Sequence, residues 1–70
     1  MKILLLGYGK MGREIEKISI ACDHNIVGTI DQSNKEHLKT FNATNTDVAI
    51  EFSEPDSAVE NIQYCIQSGI

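Results

Sequence analysis

The chain has 70 residues, with six Lys and Arg against ten Asp and Glu and a formal net charge of −4. This length holds one small domain at most, and the scattered cations leave no basic patch to neutralise a phosphate backbone, so nucleic acid is not an expected partner. The longest apolar run, Ile3 to Leu6, is too short for a bilayer span or for the core of a secretory leader, and a cytoplasmic protein with no membrane partner is the expectation.

Lys2-Ile3-Leu4-Leu5-Leu6 is continuous rather than alternating and ends at a glycine, the pattern of a parallel strand covered on both faces. From Met11 the period changes. Met11, Ile15, Ile18 and Cys22 recur at intervals of four, three and four, which predicts a helix burying that stripe, with Arg13, Glu14, Glu16 and Lys17 on its solvated side. Asp23-His24-Asn25 is turn chemistry. Ile26-Val27-Gly28-Thr29-Ile30 then predicts a second strand, in which Gly28 marks a weak point or a close approach.

Residues 32–46 are polar and turn-rich; within them Lys35 to Phe41 predicts a helical turn that buries Leu38 and Phe41. Val48-Ala49-Ile50-Glu51-Phe52 predicts a third strand. Ser53 is a candidate cap for the helix that follows, and Pro55 stands where a first-turn proline is tolerated. Glu54 and Asp56 complement the positive end of that helix. Its predicted apolar face is Ala58, Val59, Ile62, Cys65 and Ile66, and Gly69 stops it.

The order β-α-β, an irregular link, then β-α predicts an α/β fold, a Rossmann-type parallel sheet with right-handed crossovers. Such a sheet normally continues. Residues 1–70 are therefore expected to be the N-terminal part of a dinucleotide-binding domain, truncated before the remaining strands, with the substrate domain absent. Cys22 and Cys65, 43 residues apart, match neither a zinc spacing nor a disulfide scaffold and read as reduced, partly buried thiols. His24 and His37 have no ligating neighbours at metal spacing and read as solvated loop residues, so no metal is expected.

Gly7-Tyr8-Gly9-Lys10-Met11-Gly12 is a G-x-G-x-x-G run between a predicted strand and a predicted helix, and Asp31 follows Gly12 by 19 residues at the end of the second strand. That context makes it a dinucleotide-binding pattern. Gly7 allows the tight turn, Gly9 lets a pyrophosphate approach the backbone, and Gly12 lets the helix pack closely. Free N–H groups of the first helical turn receive the phosphate oxygens. Asp31 is placed to accept hydrogen bonds from the adenosine ribose. Its carboxylate would repel a 2′-phosphate, with Gln32 next to it and Lys35 the nearest cation, so NADH is the expected ligand ahead of NADPH.

With these features placed, the chain resembles the dihydrodipicolinate reductase (4-hydroxy-tetrahydrodipicolinate reductase) family. Gly7-Tyr8-Gly9-Lys10-Met11-Gly12-Arg13 is similar to its glycine-rich turn. Asp47-Val48-Ala49-Ile50-Glu51-Phe52-Ser53-Glu54-Pro55, followed by Ala58-Val59-Glu60-Asn61, is similar to its aspartate-aliphatic-acidic-Phe-(Thr/Ser)-x-Pro segment. The turn is one residue shorter than in many members, and Gln32 stands where many carry an arginine. The resemblance implies that Phe52 and Ser53 lie beside the cofactor; from the residues alone Phe52 reads equally as a core aromatic and Ser53 as a plain helix cap.

The resemblance also implies a reductase that transfers hydride from NAD(P)H to 4-hydroxy-tetrahydrodipicolinate, a cyclic dicarboxylate, in diaminopimelate and lysine biosynthesis. Its catalytic residues would lie outside residues 1–70, and a homo-oligomer would form through the absent domain. Two alternatives stay open. One is another Rossmann dehydrogenase of the aspartate or sugar type, discriminated by Glu51-Phe52-Ser53-Glu54-Pro55. The other is a non-catalytic NAD-sensing domain of a potassium-transport regulator, which would bind nucleotide without hydride transfer.

Overall fold

Four consecutive aliphatic residues leave β1 (Lys2–Leu6) without a solvated face. In the computed structural model, which describes residues 1–70, it is the middle strand of three. β2 (Asn25–Ile30) lies on one side and β3 (Val48–Glu51) on the other, both parallel to it, in the order β2-β1-β3. Leu4 and Leu5 are wholly buried and Leu6 nearly so. Each contributes about 1.5–3 kcal/mol of apolar transfer free energy, which makes this strand the anchor of the fold.

Leu4 and Leu6 point to one face, where they pack with Ile30, with Leu38 of a 3-10 helix (Lys35–Thr40) and with Cys65 of α2 (Pro55–Ser68). Alternation sends Ile3 and Leu5 to the opposite face. There α1 (Lys10–Ala21) lies against β2. Right-handed crossovers demand this division, because the chain steps from β1 to β2 in one direction and from β2 past β1 to β3 in the other. The register slips between Ile3 and Leu4, which face Ile26 and Gly28, so Val27 is an extra residue on β2. The phenyl ring of Phe41 sits where a Cβ on Gly28 would lie. The close approach expected at Gly28 is thus made by an aromatic ring; the 3-10 helix buries Leu38 as expected, while Phe41, just beyond its end, is half-buried rather than buried.

Both long helices turn faces to the sheet that differ from the predicted ones. On α1 the buried residues are Gly12 and Ser19, with Ile15 and Glu16 half-buried. Met11 and Ile18 of the predicted stripe are 65% and 63% exposed, and Cys22 is exposed as well. The cause is the turn that precedes the helix. It sets Gly12 directly against the Phe52 ring and the Gly7 carbonyl, which rotates the helix by one residue, about 100°, from the apolar stripe.

On α2 Cys65 of the predicted face is buried and Ala58 half-buried, but the other buried residue is Asn61, whereas Val59, Ile62 and Ile66 are exposed. Polar anchors set this roll. The Tyr64 hydroxyl donates to the Phe41 carbonyl at 2.7 Å, and the Asn61 amide donates to Ser53 Oγ at 3.2 Å.

Three local expectations also change. Ser53 does not cap α2: Glu54 is the N-cap residue, without a side-chain cap bond, and Pro55 is the first helical residue. The Ser53 hydroxyl is drawn instead to Glu51. Of the two free thiols only Cys65 is buried. His24 is half-buried, its Nδ1 accepting from the N-terminal amine at 3.3 Å, while His37 is exposed. Gly69 closes α2 in the left-handed conformation, φ +84°, as its position predicts. No helix is long and apolar enough to cross a membrane.

Candidate functional site

Because the chain leaves β1 toward β2 and later returns to β1's other side as β3, the order of strands reverses at β1. Ligands of open α/β sheets bind outside the carboxyl ends of the strands at such a switch point. A cleft of about 940 Å³ opens there. One wall holds Gly7, Tyr8, Gly9, Phe52 and Ser53, and Asp31 stands at the end of β2; Gln32, Lys35, Leu38, Ser57, Asn61 and Tyr64 extend the lining.

Each glycine of the turn has its own geometry. Gly7 has φ +107°, a left-handed conformation that a side chain would strain, and its Cβ would lie 3.0 Å from the Ser53 nitrogen. Its N–H donates to the Ile30 carbonyl at 2.6 Å, joining the ends of β1 and β2. Gly9 is the N-cap of α1, and nothing lies within 4 Å of where its Cβ would be. No side chain caps α1 and no acidic residue stands in its first turn, so the positive helix end faces open space. Gly12 is packed: its Cβ would meet the Phe52 ring at 2.9 Å and the Gly7 carbonyl oxygen at 3.1 Å. Phe52 therefore serves as floor for the glycine turn and as part of the cleft wall at once.

Tyr8 folds back over α1. Its hydroxyl donates to Glu16 Oε1 at 2.7 Å, and the Arg13 guanidinium lies 5.6 Å from its ring centroid, a cation–π distance. The bond to Glu16 raises the Tyr8 pKa above the usual 10.0. Lys10 and Met11 are exposed and do not line the cleft.

Asp31 is held in a turn of its own making. Its Oδ1 accepts from the Ser33 N–H at 2.9 Å and from the Ser33 hydroxyl at 2.6 Å. These bonds hold its carboxyl below the usual 3.8. The Asp31 N–H donates to Asn34 Oδ1 at 2.8 Å, and Asn34 in turn donates to the Thr29 carbonyl at 2.8 Å. Only Oδ1 is engaged within the chain, which leaves Oδ2 free to accept.

Sequence reasoning missed the second wall. Gln32 Nε2 donates to Ser57 Oγ at 3.1 Å and so links the end of β2 to α2. Glu51 Oε1 accepts from the Ser53 N–H at 2.6 Å and from the Ser53 hydroxyl, while its buried Oε2 has no partner. Burial first, and then the Glu51 charge, pushes the Cys65 thiol above 9.0. Gln32 and Ser57 lie 25 residues apart, and although Glu51 and Ser53 are two apart, at strand spacing, nothing in the local pattern shows that their hydrogen bonds end on one another.

The family model described as "Dihydrodipicolinate reductase, N-terminus" matches residues 1–70. The chain is 46% identical to a 4-hydroxy-tetrahydrodipicolinate reductase of Christiangramia forsetii over 70 residues, all of this chain and 28% of that protein. It is 42% identical to the reductase of the same name from Staphylococcus saprophyticus over 62 residues, 80% of this chain and 26% of that protein. A Staphylococcus aureus reductase of that name is 36% identical over 62 residues, with the same coverage. The chain thus spans little more than a quarter of the length of the curated relatives it matches. No solved structure matches it significantly. Parallel order, glycine turn and whole-chain similarity agree, and the chain belongs to the dihydrodipicolinate reductase N-terminal family.

Proposed function

We propose that residues 1–70 are the dinucleotide-binding part of a reductase that moves hydride from NAD(P)H to 4-hydroxy-tetrahydrodipicolinate, a step of diaminopimelate and lysine biosynthesis in the cytoplasm. The observation that carries this reading is the uncapped N-terminus of α1 behind Gly9, open toward a cleft that has a free carboxylate oxygen of Asp31 at its far edge. The residues present fit a dinucleotide. The N–H groups that open α1 at Lys10 and Met11 would take the pyrophosphate oxygens. Asp31 Oδ2 would accept from the adenosine ribose. Gly7 and Gly12 hold the turn in shape from behind, and Tyr8, clamped to Glu16, keeps its side chain off the phosphates' path. Phe52 and Ser53 complete the wall beside the ligand. A bound nicotinamide dinucleotide supplies the hydride.

In this reading the residues that bind the dicarboxylate and deliver the proton are not among residues 1–70, and assembly into a homo-oligomer runs through the rest of the protein. Asp31 stays ionised under the influence of Ser33 and repels a 2′-phosphate, which favours NADH over NADPH. Titration of NADH and NADPH into the intact protein by calorimetry tests this. NADH is expected to bind at least about tenfold tighter, a difference of about 1.4 kcal/mol, and Asp31→Ala to remove the preference. A folded protein that binds neither dinucleotide ends the proposal. Equal affinities end only the NADH preference, with Lys35 as the cation to replace next.

A further inference from the structure

We propose that Ser53 meets the ligand of this cleft as a hydrogen-bond acceptor only, and that Glu51 is the positioning residue that makes it so. The inference rests on the dinucleotide reading above and adds the polarity of one wall. Ser53 has two donors, its N–H and its hydroxyl, and both end on Glu51 Oε1. That oxygen already accepts the N–H at 2.6 Å, so it is an acceptor, and the single hydroxyl proton of Ser53 points to it. Asn61, buried on α2, approaches from the other side and donates its Nδ2 to Ser53 Oγ at 3.2 Å. The opposite amide orientation is ruled out, because the hydroxyl has no second proton to give.

One lone pair of Ser53 Oγ is left, on a residue that lines the cleft. A lone pair is complementary to a neutral donor, such as a sugar hydroxyl or an amine or carboxamide N–H, and it repels a phosphate oxygen. The two walls are thereby divided. Free N–H groups stand at the start of α1 behind Gly9, and acceptors stand at Ser53 and Asp31. A phosphate is directed to α1 and kept off the end of β3. Glu51 performs this at a cost to the fold: its Oε2 is buried without a partner, a situation that a residue serving packing alone has no reason to create.

The test is calorimetric titration of the intact protein and its Ser53→Ala, Ser53→Thr and Glu51→Gln variants with three probes: NADH, ADP-ribose and inorganic pyrophosphate. Loss of one neutral hydrogen bond predicts NADH weakened about three- to tenfold in Ser53→Ala, with pyrophosphate changed by less than about twofold on the same grounds. Ser53→Thr, which keeps the hydroxyl, restores NADH affinity. If ADP-ribose weakens together with NADH, the donor lies on the adenosine half or its ribose; if NADH alone weakens, the donor lies on the nicotinamide half. Either result supports the proposal. Glu51→Gln can offer an amide N–H to Ser53 Oγ and so release the hydroxyl proton to the cleft. It is expected to tighten pyrophosphate while weakening NADH.

Pyrophosphate weakened in Ser53→Ala as much as NADH would show Ser53 donating to phosphate and overturn the inference. An unchanged affinity for all three probes would overturn it as well. Should Glu51→Gln fail to fold, the Ser53→Ala and Ser53→Thr pair decides alone. A folded parent protein that binds no dinucleotide defeats the dinucleotide reading and this inference with it. Binding by the parent that is indifferent to Ser53 defeats only the inference.

Discussion

Gly9 and Gly12 stand three residues apart and answer to different demands. A methyl group on Gly12 meets the Phe52 ring at 2.9 Å and the Gly7 carbonyl at 3.1 Å, so Gly12→Ala is expected to destabilise the protein by about 1–3 kcal/mol through overpacking. Gly9→Ala meets nothing within 4 Å. It should cost less than about 1 kcal/mol, the loss of a glycine N-cap, yet weaken dinucleotide binding at least about tenfold by standing where a phosphate approaches. Denaturant midpoints set beside calorimetric affinities for the two variants check this split. If Gly9→Ala left NADH affinity intact, the ligand would not approach at that glycine.

Asp31 carries a pH prediction. Ser33 holds its folded-state pKa below the usual 3.8, so the stabilisation it brings is present above that value and is lost as pH falls through the folded one. Its charge is therefore unchanged between pH 7.5 and 5, so any fall in the ratio of NADH to NADPH affinity across that range follows the 2′-phosphate, whose second pKa is about 6, and a preference carried by Asp31 should persist at pH 5. Ser33→Ala, which removes the largest cause of the shift, should move the acid loss of discrimination to higher pH. A ratio that has fallen to one at pH 5 would mean that Asp31 does not carry the discrimination.

At the scale of elements, the 3-10 helix is held by very little. Leu38 is its buried side chain, 8% exposed, and the Phe41 ring lies on Gly28 just beyond its end. Leu38→Ala is expected to cost about 2–5 kcal/mol, and hydrogen exchange should show the amides of residues 35–41 opening first. α2 reports on its own docking through its thiol. Cys65 should react with a disulfide reagent only when α2 leaves the sheet, whereas exposed Cys22 should react at once. Burial raises the folded pKa of Cys65 above 9.0. Its contribution to stability is thus complete below about pH 9, the ordinary thiol value, and is lost as pH rises through the folded value. Cys65→Ser should flatten the alkaline part of the stability curve.

The helices also mark where reading the sequence reaches its limit. Their existence and ends were legible: Gly69 stops α2, Pro55 opens it, and the predicted start of α1 at Met11 is one residue from the observed Lys10. Their faces were not. Periodicity chose Met11 and Ile18, or Val59, Ile62 and Ile66, because an aliphatic stripe normally points inward. The structure buries Gly12 and Ser19 on one helix and Asn61 on the other, and of the expected α2 positions it buries Cys65 alone. Ser53 shows the same limit at a single residue. Its place before Pro55 suggests a cap, and only the nearby Glu51 carboxylate and Asn61 amide show that its hydrogen bonds go elsewhere.

For the molecule as a whole, the proposed ligand should act as a clamp across the switch point, since the cleft walls come from the loops after β1 and β3, the end of β2, the 3-10 helix and α2. NADH at about 100 times its dissociation constant should stabilise the intact protein by about 2.7 kcal/mol. The accompanying rise in Tm should vanish in a variant that no longer binds. A rise that persists in Gly9→Ala and Asp31→Ala together would mean that NADH binds somewhere other than this cleft.

The sequence by itself determined the three strands, the tight turn at Gly7, the end of α2 at Gly69 and the α/β class. Each depends on residues within a few positions of one another, whose φ preferences, volumes and apolar runs act locally. The tertiary structure alone decided the order β2-β1-β3, the rotation of both helices, and the wall built from Gln32 with Ser57 and from Glu51 with Ser53 and Asn61. Those outcomes depend on residues far apart in the chain, Gly12 with Phe52 and Gln32 with Ser57, competing for a few buried positions. A glycine that must touch an aromatic ring, or an amide that must find a partner, then outweighs an aliphatic stripe that can remain in water at modest cost.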